Sequence, residues 1–334
     1  MVSVFGAQHA NVALTCQHLG NTYMITGRYD DALKEQEEAL RIFRKTLGRR
    51  GKEVADILQN MSNVLMSSGR LERALERLEE ALEIYQETVG PEDTLTAGVL
   101  ATKGSVYRRM GLLDEALEMQ TEALRIERIA HGDNSEDVAL SLASVGAVFI
   151  EKFMLVEARG SFEEALGILR RVHGERHPLV ANMFNNIAAV LDQQGQLDEA
   201  LKIYNKALKI RRRVLGDEHQ DVADSLMNIG ICFRMRGEHQ EALERYEEAR
   251  EIYTRALGVD SRQNAKLMLN IAIAQGESGD VAGGIASAKE SVRVYEKHGN
   301  LDQAWRQAAD LLRRLQGIMS EGAQGADADS GNGI

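Results

Sequence analysis

Residues 177–216 read HPLVANMFNNIAAVLDQQGQLDEALKIYNKALKIRRRVLG, and this stretch decides the fold. Met183, Ile187, Val190 and Leu191 recur at helical spacing and fall on one face of a first helix. Gly195 follows, where the end of a helix favours a residue that tolerates left-handed backbone. Leu201, Tyr204, Leu208 and Leu215 then line one face of a second helix, and Gly216 closes it. Asp198 and Glu199 open that second helix and Arg211, Arg212 and Arg213 close it, so both ends match the helix dipole. The stretch is a helical hairpin.

The hairpin recurs along the chain. Gly27, Gly69, Gly111, Gly195, Gly237 and Gly279 follow one another at 42 residues, except for one gap of 84 in which Phe153 stands where a glycine is due. Ala32, Ala74, Ala116, Ala158, Ala200, Ala242 and Gly284 form a second column at the same period. Ala39, Ala81, Ala123, Ala165, Ala207, Ala249 and Ser291 form a third. Gly20, Ser62, Gly104, Gly146, Ala188, Gly230 and Ala272 form a fourth, and Gly48 to Gly258 a fifth that ends each second helix. Small residues on either side of the first turn let two antiparallel helices approach closely.

A single hairpin of this kind leaves its apolar faces exposed, whereas stacked hairpins bury them against their neighbours. The expected fold is therefore all-α, a right-handed α-solenoid of seven hairpins over residues 11–300. Residues 301–317 carry Trp305, Ala308, Leu311, Leu312 and Leu315 at amphipathic spacing and read as a capping helix. Residues 318–334 are rich in Gly, Ala, Asp and Ser and read as a disordered tail. Residues 1–10 read as the remnant of a preceding repeat or as an N-terminal cap. Two repeats are irregular. Repeat four has Phe153 for the turn glycine and Arg159-Gly160 early in its second helix, a pattern read either as tolerated drift or as a soft point. Repeat seven has Gly283-Gly284 in place of strong helix formers.

These columns resemble the tetratricopeptide repeat. Its small residue in the first helix, its following aromatic and its two alanines in the second helix match Gly20, Tyr23, Ala32 and Ala39. The usual period is about 34 residues. The longer period here, with Leu215-Gly216, then His219, then Val222-Ala223, is similar to the repeats of kinesin light chains, as is the Asn185-Asn186 pair. The resemblance implies a protein–protein interaction scaffold whose first helices line a concave groove that takes an extended peptide, with a cargo or adaptor role. A kinesin light chain also carries a long N-terminal heptad segment that binds the motor heavy chain. None is present here, so kinesin heavy chain is not an expected partner. Two other readings stay open: a structural component of a cytoskeletal or ciliary assembly that uses its outer face, and the regulatory array of a longer signalling protein.

On this alignment the groove residues are Asn60, Asn63, Arg108, Arg109, Asn182, Asn186, Asn228, Arg234, Lys266 and Asn270. Asn60, Asn186, Asn228 and Asn270 share one column. Asparagine offers a donor and an acceptor together, so a row of them can bond a peptide backbone without demanding its sequence. Arg108, Arg109 and Arg234 have the forked geometry that grips carboxylates, which points to a partner with acidic residues.

The net charge of -11 disfavours a nucleic-acid partner. The two cysteines, Cys16 and Cys232, lie far apart inside apolar helical patterns and read as free thiols of a reducing compartment. With no apolar run of membrane length, a cytoplasmic location is expected, with or without cytoskeletal association. No phosphate-binding glycine loop, nucleophile elbow or zinc spacing occurs, so neither catalysis, a cofactor nor a metal is expected. His177 and His219 stand just before helix starts, where a capping role is expected.

Overall fold

A computed structural model describes residues 10–298 and 303–330, with side chains as far as Glu321 in the last helix. Residues 1–9, read above as part of a preceding repeat or cap, and residues 331–334 lie outside the described residues. Every described element is a helix. Hairpin one pairs α1 (Ala10–Ile25) with α2 (Tyr29–Thr46), and hairpin two pairs α3 (Lys52–Ser67) with α4 (Leu71–Thr88). Hairpin three is α5 (Thr94–Met110) and α6 (Leu113–His131); hairpin four is α7 (Glu136–Glu151) and α8 (Leu155–His173). Hairpin five is α9 (Pro178–Gln193) and α10 (Leu197–Leu215), and hairpin six is α11 (Gln220–Met235) and α12 (His239–Leu257). Hairpin seven is α13 (Arg262–Glu277) and α14 (Val281–Lys297), followed by α15 (Gln303–Ser330).

The chain divides between Val172 and His173 into two compact units. Hairpins one to four belong to the first, and hairpins five to seven with α15 to the second. In the first unit α1 packs beside α3, α3 beside α5 and α5 beside α7. In the second, α9 packs beside α11 and α11 beside α13. Successive second helices come less close among the described residues, so the first helices form the inner face of each stack.

The small-residue column works by volume exchange between the two helices of a hairpin. A Cβ built on Gly146 would lie 2.8 Å from Phe162, and one on Gly104 would lie 2.9 Å from Gln120. Gly230 gives the same room to Tyr246. Each large residue follows its small partner by 16 positions, since 162 less 146 is 16. Close packing forbids both positions from being large.

Two irregular features of the sequence take their meaning from the structure. Phe153 takes φ 57, the left-handed conformation that Gly195 takes at φ 75. Its turn keeps the same bonds: Met154 N donates to Phe149 O at 2.9 Å, as Gln196 N does to Leu191 O at 2.9 Å. The irregular turn is thus conserved in geometry, and the division between units falls at the end of α8 instead. In hairpin seven, a Cβ at Gly276 or Gly284 would lie 3.0 Å from Leu315, so these glycines make room for α15.

Helix α15 covers the last hairpin with buried Ala308, Leu311 and Leu315, and Trp305 packs on Ala265, Val294 and Tyr295. It runs to Ser330, beyond the expected end at 317, with no proline after Pro178 to stop it. The histidine caps form as expected. His177 Nδ1 accepts from Leu179 N at 3.3 Å, and His219 Nδ1 accepts from Asp221 N at 3.1 Å. One charge reading is corrected: Arg211 is buried and does not sit at the helix end to meet the dipole, a role left to Arg212 and Arg213.

Candidate functional site

The first helices, which line the inner faces of the two stacks, carry all the predicted groove residues. Polar side chains there reach the next first helix at a constant offset, one residue more than the repeat. Gln59 Nε2 donates to Thr102 Oγ1 at 3.4 Å, and Asn228 Nδ2 donates to Asn185 Oδ1 at 3.1 Å, both 43 residues apart. Arg108 Nη1 reaches Glu151 Oε1 at 2.6 Å, and Arg234 Nη1 reaches Glu277 Oε1 at 2.8 Å, again 43 apart. Arg109 donates back to the Met66 carbonyl. The ladder holds neighbouring hairpins in register, and the sequence reading did not find Gln59, Thr102, Glu151, Asn185 or Glu277 as parts of it. Their only signal is the 43-residue spacing of polar pairs.

The predicted residues therefore divide. Asn182 is held by Arg211 Nη2 at 2.8 Å inside its own hairpin. Arg108 and Arg234 already hold carboxylates, so neither offers an unpaired guanidinium. Lys266 is exposed, and Asn270 Nδ2 donates only to the Lys266 carbonyl at 3.2 Å. Asn60, Asn63 and Asn186 are half-buried, and their side chains bond no described residue. In the second unit Asn186, Asn228 and Asn270 stand at one position on α9, α11 and α13. Their amide oxygens accept no hydrogen bond from a described residue.

Further along α9 and α11 lies a desolvated polar patch. Burial pushes the Asp192 carboxyl above the ordinary range, while a bond from the Cys232 thiol and the charge of Arg234 pull the other way. Burial, then the Asp192 charge, pushes the Cys232 thiol up to about 12. Asp192 Oδ1 and Arg234 Nε are shut from solvent without hydrogen-bond partners. A second polar pattern ties hairpins two and six across their open ends: Tyr85 donates to Asp56 and Tyr253 to Asp224. Burial and the facing carboxylate hold both phenols protonated, far above their ordinary range. No described helix is long and apolar enough to cross a membrane.

The sequence profile of the tetratricopeptide repeat matches residues 8–87, 95–171, 154–213, 179–255 and 236–297. No curated protein matches the chain. Among solved structures, BtubC (BKLC) from P. vanneervenii superposes with a TM-score of 0.56 at 22% identity, covering 72% of this chain and 92% of that one. The nearly identical TPR-like repeats of a Podosopora anserina kinesin light chain give 0.53 at 19% identity, covering 62% of this chain and 98% of that one. A tetratricopeptide repeat protein from Parabacteroides merdae gives 0.62 at 16% identity, covering 92% of this chain and 99% of that one. At these identities the likeness is one of fold.

Proposed function

Because this chain belongs to the tetratricopeptide repeat family, whose members are protein–protein interaction scaffolds, we propose that it binds an extended segment of a partner protein along the inner face of its second unit. The observation that carries this reading is the row Asn186, Asn228 and Asn270, half-buried side chains with unused acceptor oxygens on three successive first helices. An extended strand presents a backbone N–H at regular intervals, and a row of amides bonds those groups at little cost in sequence selectivity. Lys266 adds an exposed positive charge beside the row, which suits acidic residues in the segment. Arg234 serves this face by holding hairpins six and seven together through Glu277. The role is that of a cargo or adaptor scaffold, and it needs no catalytic group.

Affinity capture with the intact chain, followed by the same capture with Asn186→Ala and Asn228→Ala combined, tests this. Loss of the captured partners in the double variant, with retention in Arg255→Glu on the second-helix face, is the expected result. Retention in the double variant and loss in Arg255→Glu places the contacts on the outer face and overturns the proposal.

A further inference from the structure

The end of α6 and the start of α7, both in the first unit, bring together three metal-binding side chains. His131 Nε2 lies 3.3 Å from Glu127 Oε2 and 3.7 Å from Asp137 Oδ2. The three ligand atoms all lie within 4.8 Å of one another. Zinc takes nitrogen and oxygen ligands at about 2.0–2.1 Å in a tetrahedron, which sets neighbouring ligands roughly 3.3–3.4 Å apart. The separation from Glu127 is of that size and the one from Asp137 is slightly longer. Glu127 and His131, one helical turn apart, share a face of α6, and Asp137 arrives from the first turn of α7, whose N-cap Ser135 accepts from Val138 N at 3.2 Å.

A second observation explains why Glu127 is turned this way. It occupies the second-helix position that Tyr85, Arg211 and Tyr253 occupy in hairpins two, five and six, at multiples of 42 residues. Those three cross their hairpins to Asp56, Asn182 and Asp224. Hairpin three has Gly98 at the receiving position, so Glu127 has nothing to cross to. Its Oε2 is shut from solvent and accepts no hydrogen bond. The nearest guanidinium in sequence, that of Arg128, is engaged with Asp133 and Glu164. The site thus holds two carboxylates and an imidazole with no fixed positive charge between them.

We propose that Glu127, His131 and Asp137 bind a divalent transition-metal ion of the zinc type, which clips the end of hairpin three to the start of hairpin four. One imidazole and two carboxylates suit such an ion. Magnesium and calcium want about six or more oxygen ligands and are poorly served by this set. Three protein ligands leave a fourth position to water or to a side chain of a partner.

The test uses the full chain, stripped with a chelator, titrated with zinc chloride against a chromophoric zinc indicator. The wild-type chain is expected to take up one ion that competes with the indicator. His131→Ala and Asp137→Asn are each expected to weaken that ion by at least about tenfold. His177→Ala, in the stacked His173–His177 pair whose ring centroids are 3.9 Å apart, is expected to leave it unchanged. Cobalt substitution is expected to give the visible absorption of a tetrahedral site, absent in His131→Ala. His131 is exposed, and equal circular dichroism of the metal-free forms shows that the variant folds. Absence of competing uptake by the wild-type chain overturns the proposal, as does unchanged uptake in both site variants or a loss that follows His177→Ala alone.

Discussion

Arg211 Nη2 donates to Asn182 Oδ1 at 2.8 Å across hairpin five, from a side chain only 6% exposed. The same guanidinium donates to the Asp221 carbonyl and to Ser225 Oγ, each at 2.8 Å, on the next hairpin. One buried cation thus ties two hairpins where hairpins two and six use a tyrosine and an aspartate. Burial lowers the guanidinium's affinity for its proton, opposed by the charges of Asp221 and Asp224. Arg211→Ala removes three hydrogen bonds and leaves Asn182 Oδ1 without its partner, while Ser225 Oγ still donates to the Asp221 carbonyl. It is expected to cost about 2–4 kcal/mol, against about 1–2 kcal/mol for Asn182→Ala. Urea unfolding of both variants checks the order. Arg211→Tyr with Asn182→Asp installs the pair of hairpin six and is expected to recover much of the loss.

Gly146 faces Phe162 so closely that a methyl group does not fit. Gly146→Ala is expected to destabilise the first unit by about 1–3 kcal/mol through overpacking. Gly146→Ala with Phe162→Leu is expected to be milder than the sum of the two, since Ser62 and Leu78 fill the equivalent places in hairpin two. A double-mutant cycle in urea reads the coupling.

Phe153 is 83% exposed and held at positive φ, so it makes little contact to offset its backbone strain. Phe153→Gly is expected to stabilise the chain by about 1 kcal/mol or somewhat more. A lower urea midpoint would show that the phenyl ring contributes more than its exposure indicates.

Asp192 has its pKa raised by burial, so the folded carboxylate binds its proton more tightly than the unfolded one. Its ionisation therefore costs stability at neutral pH, and the cost disappears as pH falls below the ordinary carboxylate range. Asp192→Asn is expected to be more stable than wild type at neutral pH, with the difference shrinking on acidification. Urea midpoints at several acidic and neutral pH values test this, and a difference that grows on acidification contradicts the assignment.

Cys232 is buried and bonded to Asp192, with its thiol pushed up to about 12. Cys16 is only partly buried, and its rise has burial as the main cause, followed by the charge of Glu35. Iodoacetamide at pH 8 is expected to label Cys16 in the native chain and to leave Cys232 unlabelled until denaturant is added. Peptide mass spectrometry after a timed exposure separates the two.

The hairpins were legible because their information is local. Gly195 and its equivalents end first helices, Ala200 and Ala207 mark second helices, and the helical spacing of Met183 to Leu191 names the buried face. Volume exchange was legible in half: Gly146 announced a close approach, but not that Phe162 fills it. Gly283-Gly284 read as decay of the repeat, and only the packing of Leu315 reveals Gly284, together with Gly276, as fitted to α15. For the groove, the alignment put every named residue on a first helix. It did not tell Asn186, with its amide unbonded, from Asn182, which is committed to Arg211.

The sequence by itself determined the repeat length, the helical class and the faces each helix buries, since apolar spacing and small-residue columns act within one hairpin. Only the tertiary structure decided which polar groups meet between hairpins: Arg234 with Glu277, Asn228 with Asn185, Glu127 and His131 with Asp137. Those pairings depend on the offset of one hairpin against the next. Apolar packing sets that offset, and a long polar side chain has several partners within reach until it is fixed.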